Sequence, residues 1–370
     1  MNNENENTNL CNFEGGGDKK RAKKQKRSSN IELLRIVSMF LVLMIHYIPS
    51  REIPTLELLN ENKFETLFNL ELRSLSFVCV NCFVLISGFF GIRWKMQSLL
   101  NLLFQILFWI IISYFLVALY TRTFNLFEFL RLIFSDFTGR WFVQCYLGLY
   151  LIAPIVNLFI EKSSAKILGW FIIVFYAYST IWGYVGKAED FNEGMSVISL
   201  LGLYFVGAYL RRELIRLKKI SALRWLSIYL LIGFIMVGIS ALSLKVGIES
   251  SPYGYLNPLI VLESVALFLF FANLNIGYVK CINYIAISAF SVYLFHMGGV
   301  IYPYYQEGCR YIESSYNYSF LWALLYMVVV FTVAVMIDKI RIVLFDYLKF
   351  IMNLFSTKKV RCRLINQLKE

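Results

Sequence analysis

Residues 31–50 read IELLRIVSMFLVLMIHYIPS, an apolar run long enough to cross a membrane as a helix. Two ionisable residues in it, Arg35 and His46, are eleven positions apart, and at 100° per residue this spacing puts both on one helical face. With a rise of 1.5 Å per residue, they are roughly 16 Å apart along the helix axis. Ionisable side chains inside membrane helices are costly and usually functional, so this face is the first candidate site.

The rest of the chain is similarly apolar. Of its 370 residues, 58% are hydrophobic and 16% are charged, whereas soluble domains average about 25% charged residues. This composition excludes an ordinary soluble enzyme, and it argues against a nucleic-acid partner even though the net charge is +12. We therefore predict an all-α, polytopic membrane protein with about ten transmembrane helices. The predicted segments are approximately 31–49, 75–92, 98–120, 142–160, 166–186, 195–211, 223–244, 258–276, 281–301 and 318–337.

Basic residues are concentrated on one side of the predicted membrane. If the N-terminus is cytoplasmic, most of the 36 Lys and Arg side chains fall in cytoplasmic segments. The positive-inside rule then predicts that both termini are cytoplasmic. We divide the chain into a disordered basic cytoplasmic head at 1–30, a ten-helix transmembrane domain at 31–337 and a basic amphipathic cytoplasmic tail at 338–370. The protein is expected to contact membrane lipids, with anionic lipids attracting the basic segments.

The chain contains two histidines, and both lie in predicted spans. His296 is about as far into the ninth span as His46 is into the first, so the two imidazoles are expected at similar depth. The sequence does not decide whether they face each other. Imidazole is well suited to take up and return a proton near neutral pH, so both are candidate catalytic residues. For His46, the alternative is an interfacial histidine bonded to the backbone.

Four further ionisable residues are site candidates. Glu263 lies near the outer end of the eighth span, where it is either a catalytic or orienting acid or a carboxylate that reaches interfacial water. Arg35, Arg93 and Lys95 lie at the cytoplasmic mouth and are candidates to bind a phosphorylated ligand, because arginine forks suit phosphate. Plain positive-inside topology explains the same charges, and snorkelling to the headgroups explains Arg35.

No metal site is predicted. Cys79 and Cys82 form a CxxC pair, but the sequence offers no second pair and no nearby histidine to complete a zinc site. We interpret these cysteines as small apolar residues of a packed membrane helix.

Four stretches carry recognisable motifs besides the spacing of Arg35 and His46. They are FVCVNCFVLISGFFG at 77–91, RWFVQCYLGLYLIAPIVN at 140–157, LLGLYFVGAYLRR at 200–212 and SAFSVYLFH at 288–296. Together, and in this order, they resemble the membrane acyltransferase 3 family. Its members are bacterial integral-membrane enzymes of about ten helices that O-acylate sugars and polysaccharides. The resemblance covers nearly all of residues 31–337.

The resemblance implies an O-acetyltransferase of the bacterial cytoplasmic (inner) membrane. Its co-substrate would be acetyl-CoA or another short acyl-CoA. The acceptor would be a hydroxyl of a cell-surface polysaccharide or of its lipid-linked precursor. The resemblance also implies that His46 is catalytic and that Arg35 is essential. This sequence departs from the family in the stretch after the Ser-Gly motif, where only Arg93 and Lys95 are basic, and this puts coenzyme contacts there in doubt.

Two functions of other classes stay open. The first is a transporter or flippase of a glycan intermediate, with aromatic residues, 17% of the chain, lining the sugar path. The second is a non-catalytic membrane subunit of a glycan-synthesis complex. Transport would proceed without consuming CoA, whereas an acyltransferase would release CoA only when an acceptor is present.

Overall fold

The computed structural model describes residues 28–51, 54–247 and 252–367. It is 83% helical, and the described part contains no strand, which confirms the all-α prediction. The predicted head at 1–30 falls almost entirely outside the described residues, as do the last three residues of the predicted tail.

Fifteen α-helices make up the described part of the chain. The first eight are α1 Ser29–Tyr47, α2 Leu56–Glu61, α3 Lys63–Phe77, α4 Cys79–Phe90, α5 Met96–Thr121, α6 Leu126–Gly139, α7 Trp141–Lys162 and α8 Ala165–Tyr178, which a π-helical turn extends over Ser179–Val185. The others are α9 Val197–Leu217, α10 Ala222–Lys245, α11 Pro258–Ala272, α12 Lys280–Ala286, α13 Ala289–His296, α14 Tyr302–Ser315 and α15 Ser319–Gln367.

Seven helical stretches among the described residues are long and apolar enough to cross a membrane. They are Ser29–Tyr47, Lys63–Phe90, Met96–Thr121, Trp141–Lys162, Ala165–Val185, Ala222–Lys245 and Ser319–Ile351. Each coincides with one of the ten predicted segments, so the chain is a multi-pass helical membrane protein. The count of ten and the cytoplasmic placement of both termini stay predictions.

The three remaining predicted segments are helical but differ from simple spans. Segment 195–211 lies in α9, which continues through charged residues to Leu217. Segment 258–276 contains α11, which has 15 residues and ends at Ala272. Segment 281–301 holds two short helices, α12 and α13, separated by Ile287 and Ser288.

Two boundaries differ from those expected. The predicted loop at 50–74 is largely helical, because α2 and α3 occupy most of it and α3 leads directly into α4. The predicted boundary at 337/338 falls inside α15, which runs on without a break. Asp338 and Arg341 beyond it are buried, with 0% and 2% of their surface exposed. The beginning of the predicted tail is therefore packed into the transmembrane domain.

Helix α1 lies at the centre of the bundle. It packs against α3, α4, α11, α12, α13, α14 and α15. Its buried residues include Leu34, Met39 and Leu43, which belong to one continuous apolar core. The face of α1 that carries Arg35 and His46 is therefore surrounded by protein, whereas many residues of α8 and α10 are exposed on the outside of the bundle.

The closest helix crossing is between α4 and α9, and it depends on two glycines. A Cβ atom at Gly88 would overlap the carbonyl oxygen of Tyr204, and one at Gly207 would overlap the carbonyl oxygen of Leu85. Small residues of this kind let membrane helices approach backbone to backbone. The crossing matters for the site because α4 also carries Ser87, which lines a cavity described below.

We expect Gly88→Ala to lower the free energy of unfolding by at least about 2 kcal/mol, because the added methyl group meets backbone that cannot move aside. The matched control is Gly238→Ala in α10, where nothing lies within 4 Å of the added atom. Thermal unfolding of the purified proteins in detergent measures the difference. Equal melting temperatures for Gly88→Ala and the unmodified protein would contradict this account of the crossing.

Candidate active site

The two histidines face each other. His46, in the last turn of α1, and His296, the last residue of α13, have their Nδ1 and Nε2 atoms 3.1 Å apart. The ring centroids are 5.2 Å apart. His296 is completely buried, and His46 is partly exposed. The sequence placed both imidazoles at similar depth, and the structure adds that α1 and α13 bring them into contact.

The hydrogen bonds of His296 define the proton positions in both rings. Its Nδ1 atom lies 2.6 Å from the carbonyl oxygen of Val292, which only accepts, so His296 Nδ1 carries a proton and donates it. In the neutral ring, Nε2 is then an acceptor. His46 Nδ1 must therefore donate to His296 Nε2, which leaves the lone pair of the His46 ring on its Nε2 atom. A histidine held in this tautomer is ready to act as a base at Nε2.

Helix α14 supports the histidine pair from one side. The Tyr302 ring stands edge-on to His46, with centroids 6.0 Å apart. Gln306 donates its side-chain amide to the His46 carbonyl oxygen at 2.5 Å. The Tyr305 hydroxyl donates to the Leu43 carbonyl oxygen at 2.8 Å. Polar side chains thus fix the end of α1, so the His46 ring is held by both its backbone and its Nδ1 atom.

His46 lines a small, mostly apolar cavity of about 30 Å³. The other lining residues are Met39, Val42, Ile45, Cys79, Val80, Phe83, Trp141, Phe142, Tyr255, Phe290 and Tyr293. Small-molecule sites commonly combine such apolar walls with a few polar groups. Here those polar groups are the imidazole, the Trp141 indole and two tyrosine hydroxyls.

Arg35 lines a second, larger cavity of about 330 Å³. The polar residues around it are Ser87, Asn101 and Tyr146, and the Ser87 and Tyr146 hydroxyls lie 3.2 Å apart. The Arg35 side chain is 26% exposed and forms an ion pair with Glu32 at 2.5 Å. A guanidinium has five N–H donors, so one carboxylate leaves others available to a ligand in this cavity.

Three phenylalanines separate the two cavities. Phe83, Phe142 and Phe290 line both the cavity of His46 and the cavity of Arg35. The Phe142 and Phe290 ring centroids are 6.2 Å apart. The cavities of Arg35 and His46 therefore adjoin each other, with an aromatic partition between them.

A buried polar network supports the wall of the Arg35 cavity. Arg341 donates to Asp338 at 2.5 Å and to the Asn101 side chain at 3.1 Å. Gln105 donates to the Ser291 hydroxyl at 2.7 Å. These bonds tie α5 to α13 and α15 at the level of Asn101. Arg341 was not a site candidate because its sequence position placed it in the tail, among charges that topology alone explains.

Arg93 and Lys95 lie between α4 and α5 and are exposed. The segment that carries them follows Ser87, so it leaves the bundle at the end where the Arg35 cavity lies. Neither residue lines that cavity. The predicted role of Arg93 and Lys95 is therefore to contact the part of a phosphorylated ligand that lies outside the bundle.

Glu263 is completely buried but is not part of the histidine site. Its carboxylate oxygens lie 3.3 and 3.5 Å from the Ser74 hydroxyl. A Cβ atom at Gly233 would lie 3.0 Å from Glu71 Oε1 and 3.4 Å from Glu263 Oε1, so the two carboxyl groups are neighbours across that glycine. Glu263 lines neither cavity. Its predicted catalytic role is therefore not supported by any contact between Glu263 and His46.

A buried ion pair beside α13 was not predicted from the sequence. Arg140, 4% exposed, forms an ion pair with Asp136 and donates to the Leu294 carbonyl oxygen at 2.7 Å. Asp136 in turn accepts from the Gly299 amide at 2.9 Å. The pair thereby holds the chain on both sides of His296. The available signal was the position of Arg140 directly before Trp141, but Arg140 lies just outside the predicted span 142–160, where a basic residue is usually a loop charge.

These features define a multi-pass membrane protein with an oriented histidine in an apolar cavity that adjoins an arginine-lined one. The acyltransferase domain of the acyltransferase 3 family matches residues 28–339. The chain therefore belongs to that family and is a membrane acyltransferase, as its sequence motifs predicted. A search of curated proteins and a search of solved structures each found no match.

The proton positions in the histidine pair can be measured directly. Because the chain has two histidines, a sample with ¹⁵N-labelled histidine gives signals from these two rings alone once any affinity tag is removed. We expect both rings to be neutral with the proton on Nδ1. In His296→Phe, the acceptor is lost, and His46 should become a mixture of tautomers.

The control for this measurement is Glu57→Gln, an exposed change in α2 that should leave both rings as they are. Nitrogen chemical shifts and one-bond N–H couplings report which atom carries the proton. A proton on Nε2 of His46 in the unmodified protein would contradict the proposed orientation of the base.

Proposed function

We propose that the protein transfers an acetyl or other short acyl group from acyl-CoA to a hydroxyl of a cell-surface polysaccharide or its lipid-linked precursor. It would do so in the bacterial cytoplasmic membrane. The main support is the hydrogen bond between the histidines, which leaves a lone pair on Nε2 of a histidine that lines an apolar cavity. Membership of the acyltransferase 3 family supports the reaction class.

The larger cavity suits the coenzyme part of the donor. Its volume of about 330 Å³ is at the lower end of the range of small-molecule sites. Arg35 would bind a phosphate there, and Arg93 and Lys95 would contact phosphates nearer the surface. The thiol arm would pass Phe83, Phe142 and Phe290, which border both cavities, and bring the thioester to His46.

His46 would act as general base in the transfer step. The acceptor oxygen attacks the thioester carbonyl carbon while Nε2 of His46 takes up the hydroxyl proton. The carbon–sulfur bond then breaks, and the departing thiolate receives that proton, so the products are an acylated hydroxyl and free CoA thiol. His296 stabilises the transient positive charge on His46, because its Nε2 atom accepts from His46 Nδ1 throughout.

A two-step transfer through an acyl-His46 intermediate uses the same atoms. Nε2 of His46 would then attack the thioester first, and the acceptor hydroxyl would attack the acyl-imidazole. The two routes differ in whether labelled acyl group stays on the protein when acceptor is absent. Family membership favours both over a transporter or a non-catalytic subunit.

Replacing the base tests the proposed reaction. We expect His46→Ala to lower acyl transfer by at least about 100-fold, the contribution typical of a general base. Mass spectrometry of surface glycans measures the acetyl groups in cells, and thiol detection measures CoA release by the purified enzyme. Membrane yield and melting temperature should stay close to those of Glu57→Ala, the control. Near-normal acetylation by His46→Ala would remove His46 from the mechanism.

Replacing Arg35 tests the donor site. We expect Arg35→Ala to raise the KM for acetyl-CoA about tenfold or more, because a hydrogen bond between charged groups contributes about 1.5–3 kcal/mol. Arg35→Lys should recover part of this loss. The control is Arg224→Ala, an exposed arginine at the start of α10. An unchanged KM for acetyl-CoA in Arg35→Ala would exclude Arg35 from donor binding.

A further inference from the structure

A polar pocket of about 390 Å³ lies beyond the C-terminal end of α1, at the end of the bundle opposite Arg35. We call it the Arg51 pocket. It is lined by Arg51, Asn62, Glu65, Asn69, Arg310, Glu313 and Ser314. These residues come from the end of α1, from the start of α3 and from α14, so three separate parts of the chain meet there.

Arg51 forms the base of this pocket. Its side chain is 6% exposed and pairs with Glu65 and, at 3.1 Å, with Glu313. It also donates to the Asn69 side chain at 2.5 Å and to the Tyr47 hydroxyl at 2.8 Å. The Arg51 guanidinium thus holds the carboxylates of Glu65 and Glu313 in place, and the two carboxylates neutralise its charge. These bonds fix the base of the pocket.

The lining points to an uncharged ligand with many hydroxyl groups. Two arginines are balanced by two glutamates, so the pocket has no net formal charge with which to select an ion. The exposed Asn62, Arg310 and Ser314 supply further donors and acceptors around the opening. Sugar hydroxyls both donate and accept hydrogen bonds, which matches such a mixed lining.

Helix α14 connects the Arg51 pocket to the histidine site. Tyr302 and Gln306, which contact His46, and Arg310 and Glu313, which line the pocket, recur at helical spacing along one side of α14. The chain of α1 makes the same connection, because Arg51 bonds to Tyr47, the residue after His46. Arg51 is five residues past His46, so the pocket lies next to the histidine site but does not include His46.

We propose that the Arg51 pocket binds an uncharged sugar unit of the acyl acceptor, adjacent to the unit whose hydroxyl reaches His46. This inference rests on the proposed acyl transfer. It deepens that function by assigning the acceptor to a specific pocket and by specifying a neutral saccharide over a charged one. The Arg51 ion pairs alone would explain a structural junction, but such a junction does not need the exposed Arg310, Asn62 and Ser314 at the opening.

Binding is tested without turnover on the full-length His46→Ala protein in detergent. The probes are three neutral trisaccharides, maltotriose, cellotriose and N-acetylated chitotriose, together with the anionic trigalacturonate. Isothermal titration or saturation-transfer NMR detects binding. We expect at least one neutral probe to bind and to exceed trigalacturonate in affinity. Failure of all the neutral probes to bind, or tighter binding of trigalacturonate, would overturn the proposal.

Variants of exposed residues test the location, since they leave the buried Arg51 network in place. Arg310→Ala, Asn62→Ala and Ser314→Ala should each weaken binding of the neutral probe about fivefold or more. Glu57→Ala and Glu307→Ala are exposed controls on α2 and α14 that do not line the pocket, and they should bind as the parent does. Equal affinity of the three pocket variants and the parent would place the sugar elsewhere.

A kinetic experiment separates this inference from the proposed function. With active enzyme, the pocket variants should raise the KM for the saccharide and leave the KM for acetyl-CoA unchanged. Absence of acetylated product from the unmodified protein would refute the acyl transfer, whatever binds in the pocket. Normal transfer with an unchanged saccharide KM in all three variants would refute the pocket alone.

Discussion

One hydrogen bond between two imidazoles organises the centre of this protein. His46 donates to a ring whose own proton is already committed to the Val292 carbonyl oxygen, so each of the two rings has one defined tautomer. A buried polar group without a partner costs several kilocalories per mole in an apolar environment, so α1 and α13 are held in register by the need to keep these groups paired. The Arg140–Asp136 ion pair holds the chain around His296, and Gln306 holds the backbone of His46. Most polar contacts near the site thus serve to orient one base.

Helical periodicity explains why part of this site could be predicted from the sequence. Arg35 and His46 share a face because both lie in one unbroken helix, a local property that spacing reveals. The contact between His46 and His296 depends on how α12 and α13 divide at Ile287 and Ser288 and on how α13 turns toward α1. Those are tertiary properties that no local pattern encodes. For the same reason, Arg140 and Arg341 read as loop and tail charges although the fold buries both.

The difference between ten predicted spans and seven apolar helices has a physical cause. A helix exposed to lipid must satisfy all its backbone groups and carry an apolar surface through the full thickness of the bilayer. A helix surrounded by protein is free of that requirement, and broken or short backbone is tolerated there. Most residues of α11 and α13 are buried, in contrast to the exposed faces of α8 and α10. Hydropathy identifies such interior helices as apolar but does not show where they shorten or break.

The aromatic partition between the two cavities bears on how a charged donor and a polar acceptor can meet in an apolar protein. A phosphate group requires charged partners such as Arg35, whereas the transfer step benefits from exclusion of water, which would otherwise hydrolyse the thioester. In the proposed mechanism, Phe83, Phe142 and Phe290, which border both cavities, would let a slender thiol arm and its acyl group pass while bulk water and phosphates stay on the Arg35 side. On the other side of His46, the lining of the Arg51 pocket is polar and balanced in charge, which suits hydroxyl groups. The order of charged cavity, apolar partition, base and polar pocket therefore matches the order in which coenzyme, acyl group and hydroxyl must be arranged for transfer.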